Sequence, residues 1–374
     1  MTRFRPYVAI GLGLLLLLSV VTALLGDTPK HQTVGQITPT SVMNVPRSGH
    51  TATLLRDGTV LMAGGMLRNG DFSDTAEVFD PKTNRFSPTG NMLRGRVGAA
   101  AAVLPSGKVL IAGGWHETDE AEIYDPATRS FAVTARMSEK RARPTATVLR
   151  DGTALITGGE CDPNTMEAAN SAEVYDEKTG VFTRVGAMHM GRSMHTSTLL
   201  QDGRVLVAGG GTAREQVTDT TEIYDPRTRS FSLAGKMSVP RYKHTAVLLD
   251  DGTVLIAGGS DARDWKSAYD SAEIYNPRTN AFVPAGKMRD GRFKLPAEAV
   301  RMKNGVLVFG GAQGAALYDE RNKEFREVAG SVDTERFYPS ATLMDDGRVL
   351  LAGGYPRHSD AATRNAWLYV PGKP

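Results

Sequence analysis

At 374 residues and 41 % hydrophobic, the chain can bury a large core, either as two ordinary domains or as one large all-β domain. Its 44 Lys+Arg and 41 Asp+Glu are nearly balanced and scattered, with no run of like charge of the kind that marks a nucleic-acid tail. The single cysteine, Cys161, excludes an intrachain disulfide and a cysteine-based zinc cage.

Residues 1–31 stand apart from the rest. Thr2-Arg3-Phe4-Arg5-Pro6 is a short positive segment, Val8 to Leu25 carries no charge, and Gly26-Asp27-Thr28-Pro29-Lys30 is polar. This is the layout of an export signal. Val21-Thr22-Ala23 offers a small-residue cleavage site, while Val8 to Leu25 is also just long enough to span a bilayer as a retained anchor and membrane tether. Both readings place residues 32–374 outside the cytoplasm, whether periplasmic, secreted or anchored, because the arginines stay on the cytoplasmic side.

Thr33-Val34-Gly35-Gln36-Ile37, followed by Met43, Pro46 and Arg47, has the layout of Phe231-Ser232-Leu233-Ala234-Gly235 followed by Met237, Pro240 and Arg241. The second of these stretches is the last strand of an internal repeat. Double glycines at 64/65, 113/114, 158/159, 209/210, 258/259, 310/311 and 353/354 mark seven copies of that repeat, with a period of about 50 residues. Each copy reads as four strands. The first follows an arginine and turns at Asp57-Gly58 or its equivalents, which predicts a type I′ hairpin. The second is almost wholly apolar (Val60 to Ala63, Val254 to Ala257), as a strand covered on both faces should be. The third carries AEVFDP, AEIYDP, AEVYDE, TEIYDP, AEIYNP, AALYDE and AWLYVP. A turn then leads to a fourth strand opened by phenylalanine, always seven residues after the third-strand aromatic, from Phe79 and Phe86 to Tyr318 and Phe325. The seventh copy has no fourth strand of its own, so the strand at Thr33–Ile37 is expected to complete it and leave no sheet edge unpaired.

An arginine before the first strand, a double glycine, an aromatic-Asp-Pro turn and an aromatic opening the last strand resemble the kelch repeat over about residues 32 to 371. The family's usual fourth-strand tryptophan is here phenylalanine, which keeps the packing role. The resemblance implies an all-β, seven-bladed propeller of four-stranded antiparallel blades as a single domain over residues 32–374.

Comparison among the copies separates scaffold from site. The loops from double glycine to third strand vary in length, and such variation marks the binding face. One arginine per blade stands on that face: Arg47, Arg96, Arg141, Arg192, Arg241, Arg292 and Arg336. They read either as a ring of cations for a carboxylate or sulfated ligand or as scaffold residues, with Glu77, Glu122, Glu173, Glu222 and Glu273 on the third strands as partners. Blades six and seven replace that glutamate by Ala316 and Trp367. Arg292, Phe293, Lys294, Arg336, Phe337 and Tyr338, beside the short loop Ala312-Gln313-Gly314-Ala315, are therefore the candidate ligand-binding residues.

His50, His195 and His244 share one repeat position that other blades fill with Ala99, Pro144, Leu295 and Pro339, so they read as filler and not as metal ligands. The loop His116-Glu117-Thr118-Asp119-Glu120 reads as a solvated acidic loop and Cys161 as an inert loop residue. Copper oxidases of the galactose oxidase type, which the resemblance brings into range, need a tyrosine followed directly by a histidine ligand, and no Tyr-His pair exists here. No cofactor or metal and no catalytic residue is assigned. The expectation is an exported, monomeric binding protein for a protein or glycan at the cell envelope, an anionic one suiting the arginines. The alternative is a carbohydrate-active enzyme such as a cofactorless sugar-acid mutarotase, recognisable by a carboxylate within reach of Arg292 or Arg336 in a closed pocket.

Overall fold

A computed structural model describes residues 34–372, apart from 69, 116–117, 163–164, 166, 214–215 and 296–298. The segment read as signal or anchor lies outside these residues, as does the His116-Glu117 part of the acidic loop. Among the described residues no helix is long and apolar enough to cross a membrane. The structure is all-β, with seven four-stranded antiparallel sheets.

Blade one pairs Thr51–Leu54, Val60–Ala63, Ala76–Asp80 and Arg85–Pro88 in chain order, and blades two to six repeat the plan. In blade seven Gly35–Pro39 lies against Ala366–Pro371, in register from Gly35↔Pro371 to Pro39↔Trp367. The N-terminal strand thus supplies the missing fourth strand, as expected. Tyr369 secures it by donating its Oη–H to the carbonyl of Val34 at 2.6 Å. Each innermost strand touches those of both neighbouring blades, Thr51–Leu54 meeting Ser340–Leu343 to close the circle.

The core is distributed between blades. The apolar second strands are buried along their whole length, and each pair of adjacent blades encloses one apolar cluster. Leu61 and Ala63 of blade one, for example, meet Val109, Ile111 and Tyr124 of blade two. The seven-residue interval places the third-strand aromatic directly opposite the fourth-strand phenylalanine, as in Tyr124↔Phe131, with ring centroids 4.9 Å apart.

One local expectation fails. In the Asp57-Gly58 turn only the glycine takes a positive φ, of 83°. A type I′ turn needs two such residues. The loop is one residue longer, closed by Leu55 N–H to Thr59 O at 2.8 Å, and Asp57 accepts from the Thr59 N–H at 3.0 Å. The aspartate is present for that side-chain bond, which competes well with a bare hairpin turn.

Candidate functional site at the axial mouth

The blade arginines are structural anchors. Arg47, Arg96, Arg141, Arg192 and Arg241 are buried and pair with Glu77, Glu122, Glu173, Glu222 and Glu273 at 2.9–3.0 Å. Nη1 of each also donates to the carbonyl of its blade's first glycine, as Arg47 does to Gly64 O at 2.6 Å. The second glycine donates its N–H to the carbonyl of the next blade's arginine, Gly65 to Arg96 O at 2.7 Å and so on round to Gly354 and Arg47 O. A Cβ at Gly64 would lie 2.4 Å from Arg96 O, so this approach of neighbouring blades requires glycine.

Arg292 and Arg336 are buried as well. Arg292 donates to Gly310 O and Gly314 O at 2.9 and 2.8 Å, and no carboxylate of the described residues lies within ion-pair distance. Burial lowers its pKa to about 10, against the attraction of Asp290 and Glu327. Arg336 has a carboxylate that the third-strand comparison missed: Asp333, at 2.6 Å, three residues earlier. Its guanidinium also lies over the Trp367 ring, in the space the glutamate fills in other blades. Asp333 is 46 % exposed and bonded to Asn365, so this carboxylate beside Arg336 is part of a surface pair and does not line a closed pocket.

The convergent chemistry lies two residues further along. The residues two after the blade arginines are Gly49, Gly98, Arg143, Met194, Lys243, Lys294 and Tyr338, all with φ between 50° and 63°. Their backbones are linked from blade to blade, Gly98 N–H to Gly49 O, Arg143 N–H to Gly98 O, Lys243 N–H to Met194 O, Tyr338 N–H to Lys294 O and Gly49 N–H to Tyr338 O. With Leu295 N–H to Lys243 O between blades five and six, these turns form a collar around the axis, with no such bond between blades three and four among the described residues. Blades one and two fill this left-handed position with the glycine it favours. Blades three to seven place side chains there at a local cost of about 1 kcal/mol or more each.

Those side chains meet across the opening. Tyr338 Oη of blade seven reaches Met194 Sδ of blade four at 3.9 Å, forming a floor that is still partly accessible to water. Lys294 Nζ donates to Tyr355 Oη at 2.9 Å, stands 5.4–5.8 Å from the ring centroids of Phe293, Phe337, Tyr338 and Tyr355, and is 4.0 Å from Asp264 Oδ2. Lys243 Nζ takes the other oxygen of Asp264 at 2.6 Å, and Tyr242 Oη donates to it at 2.9 Å. Arg143 pairs with Glu160 at 3.0 Å and stacks over Trp115 at 4.5 Å.

Burial dominates the electrostatics. It lowers the Lys294 pKa to about 7, helped by Lys243 and Arg143 and opposed by Asp264. It lowers Lys243 too, against Asp264, and raises Tyr355 to about 12 and Tyr242 and Tyr338 further. Two clefts lie among the variable loops. One of about 260 Å³ is lined by Trp115, Asp119, Glu120 and Arg136, the other of about 510 Å³ by Met190, Gln216, Pro240 and Arg263.

Of the six residues singled out in the sequence, Phe293, Lys294, Phe337 and Tyr338 come together at the mouth, and Arg292 and Arg336 are anchored in the wall behind it. Arg143, Lys243, Glu160, Asp264, Tyr242, Tyr355 and Trp115 were missed. Aligning the repeats on the arginine and asking which blades depart from glycine two residues later would have found the first two.

The donor set at the mouth is not that of a copper centre. The described residues there offer amines, a guanidinium, carboxylates and phenols, and His50, His195 and His244 lie elsewhere. His50, His195 and His244 are buried between blades, with Nε2 on Ser340, on Thr145 and Thr157, and on Thr196 at 2.9–3.1 Å. Among the described residues no group of three or more His, Cys, Asp or Glu is placed to hold a metal ion. Cys161 donates to Glu167 O at 3.4 Å, and burial raises its pKa, the reverse of an activated thiol.

The family model described as Kelch motif matches residues 192–238 and 241–289, which are most of blades four and five. No curated protein matches the sequence. Among solved structures the chain is similar to one titled "Novel fungal alcohol oxidase with catalytic diversity among the AA5 family, in complex with copper", at 18 % identity and a TM-score of 0.73 over 90 % of this chain and 76 % of the other. At that identity the likeness concerns the fold alone.

Proposed function

Because the chain is a kelch-repeat β-propeller with its variable loops gathered around a basic, aromatic mouth, we propose that it is a binding protein that takes an anionic group of a protein or glycan partner at that mouth. The observation that carries this reading is the convergence of Arg143, Lys243 and Lys294 around Asp264 and Glu160, beside partly exposed aromatic rings. Cationic side chains held in a partly dehydrated setting donate to a carboxylate or sulfate more strongly than they would on an open surface. Tyr242, Tyr355 and Trp115 offer flat apolar faces to the remainder of the ligand. The Val8 to Leu25 segment supports placing that partner outside the cytoplasm, at the cell envelope.

The test is a binding screen of uronic-acid and sulfated oligosaccharides and acidic peptides, on the full chain and on K243A and R143A variants. A ligand whose affinity falls at least about tenfold in both variants, and falls with added salt, is the expected result. Binding that is insensitive to both substitutions and to salt would overturn the axial site.

A further inference from the structure

We infer that Lys294 is an amine nucleophile, and that the anionic ligand class it acts on is a 2-oxo acid, held by its carboxylate and captured through its carbonyl as an imine. This rests on the axial mouth being the ligand site, and goes beyond it by assigning a covalent step.

The geometry points there in three ways. First, Lys294 Nζ stands among four aromatic rings that offer it little of the hydration a surface ammonium enjoys. Cation–π attraction to those rings works the other way, but at 5.4–5.8 Å it is near the outer limit of its range. Second, two lysines stand beside one carboxylate. Lys243 is at 2.6 Å from Asp264 and Lys294 at 4.0 Å, so the closer ammonium has first claim on the charge and the farther one feels its neighbour's repulsion. A desolvated lysine beside a second cation is the arrangement that activates an amine. Lowering the pKa to about 7 raises the neutral fraction at pH 7 on the order of a thousandfold over an ordinary lysine. Third, the hydroxyl hydrogen-bonded to that amine, Tyr355 Oη at 2.9 Å, is placed to relay a proton. Lys243 and Arg143, although paired with Asp264 and Glu160, keep further N–H donors for the carboxylate.

The step balances without a further reactant. The Nζ lone pair forms a bond to the carbonyl carbon, and the C=O π pair moves to oxygen, which takes a proton from Tyr355 Oη. The new ammonium returns a proton to Tyr355, giving a carbinolamine. Its C–O bond then breaks as the C=N bond forms, and the oxygen leaves as water carrying the two protons the amine has given up.

The test incubates the full chain with glyoxylate and cyanoborohydride, which reduces an imine to a stable secondary amine, and maps the adducts by peptide mass spectrometry. Lys294 should be modified at least about tenfold faster than the exposed lysines at pH 7. Propionate, which has the carboxylate but no reactive carbonyl, should protect it, and the K294R variant should lose that adduct alone. If propionate binds in a Lys243-dependent manner but Lys294 is modified no faster than surface lysines, the imine is overturned and the anion site stands. If propionate binding and preferential labelling are both absent, the inference and the axial site fall together.

Discussion

Lowering the pH from 7 to 5 should destabilise the propeller through His50, His195 and His244. Each ring is buried between two blades with Nε2 on a neighbouring hydroxyl, and Nδ1 makes no hydrogen bond among the described residues, although the Arg192 carbonyl near His195 favours its protonated form slightly. A second proton therefore has nowhere favourable to sit. Burial, with repulsion from the adjacent blade arginine, lowers each pKa from 6.5 to about 3. The unfolded chain binds a proton near pH 6.5 and the folded one only near 3, so between those values the unfolded state holds more protons and stability falls as pH falls. At pH 5 the loss is about 2 kcal/mol per histidine, or about 6 kcal/mol for three, an upper figure because the fold can relax. That is a large part of the 5–15 kcal/mol typical of a folded domain. Carboxylates with depressed values, such as Asp225 at about 2 beside Arg227, lose their contribution only below about pH 4, so the two windows separate. Denaturant titrations at pH 7, 6 and 5 on the wild type and on a triple variant, with each histidine replaced by the leucine that blade six uses, provide the measurement. The wild-type midpoint should fall steeply and the variant's should stay nearly level. Parallel curves would refute the assignment.

Replacing Arg241 by alanine strands Glu273 as an uncompensated buried charge, so R241A should cost about 3–5 kcal/mol. R292A strands two carbonyls and should cost about 1–3 kcal/mol, and R336A should cost no more, because the half-exposed Asp333 can rehydrate. Urea denaturation of the three variants checks this order, and an R336A loss equal to that of R241A would show that the Asp333 pair is misjudged. Deleting residues 34–39 removes the strand that covers Ala366–Pro371, together with the burial of Ile37. The melting temperature should drop by roughly 10–20 °C, and an unchanged melt would refute closure by the N-terminal strand.

The seven repeats, the apolar second strands, the aromatic pairs and the closing N-terminal strand were all legible in the chain, because each depends on residues within one copy and seven copies repeat the signal. Even the Arg–Glu anchors could be proposed by comparing copies, since both members fall within one blade. The Asp57-Gly58 turn was misread because the aspartate's own side-chain bond competes with the backbone pattern that Asp-Gly suggests. Asp333 escapes comparison of the third strands because the compensating charge of Arg336 sits in a loop three residues before it. What the tertiary structure alone decided is the axial mouth. Arg143, Lys243, Lys294 and Tyr338 come from different blades, and nothing local ties Asp264 or Tyr355 to them. They meet because ring closure carries the same backbone position of every repeat to a single axis, where chemistry spread over two hundred residues of sequence is brought within a few ångströms.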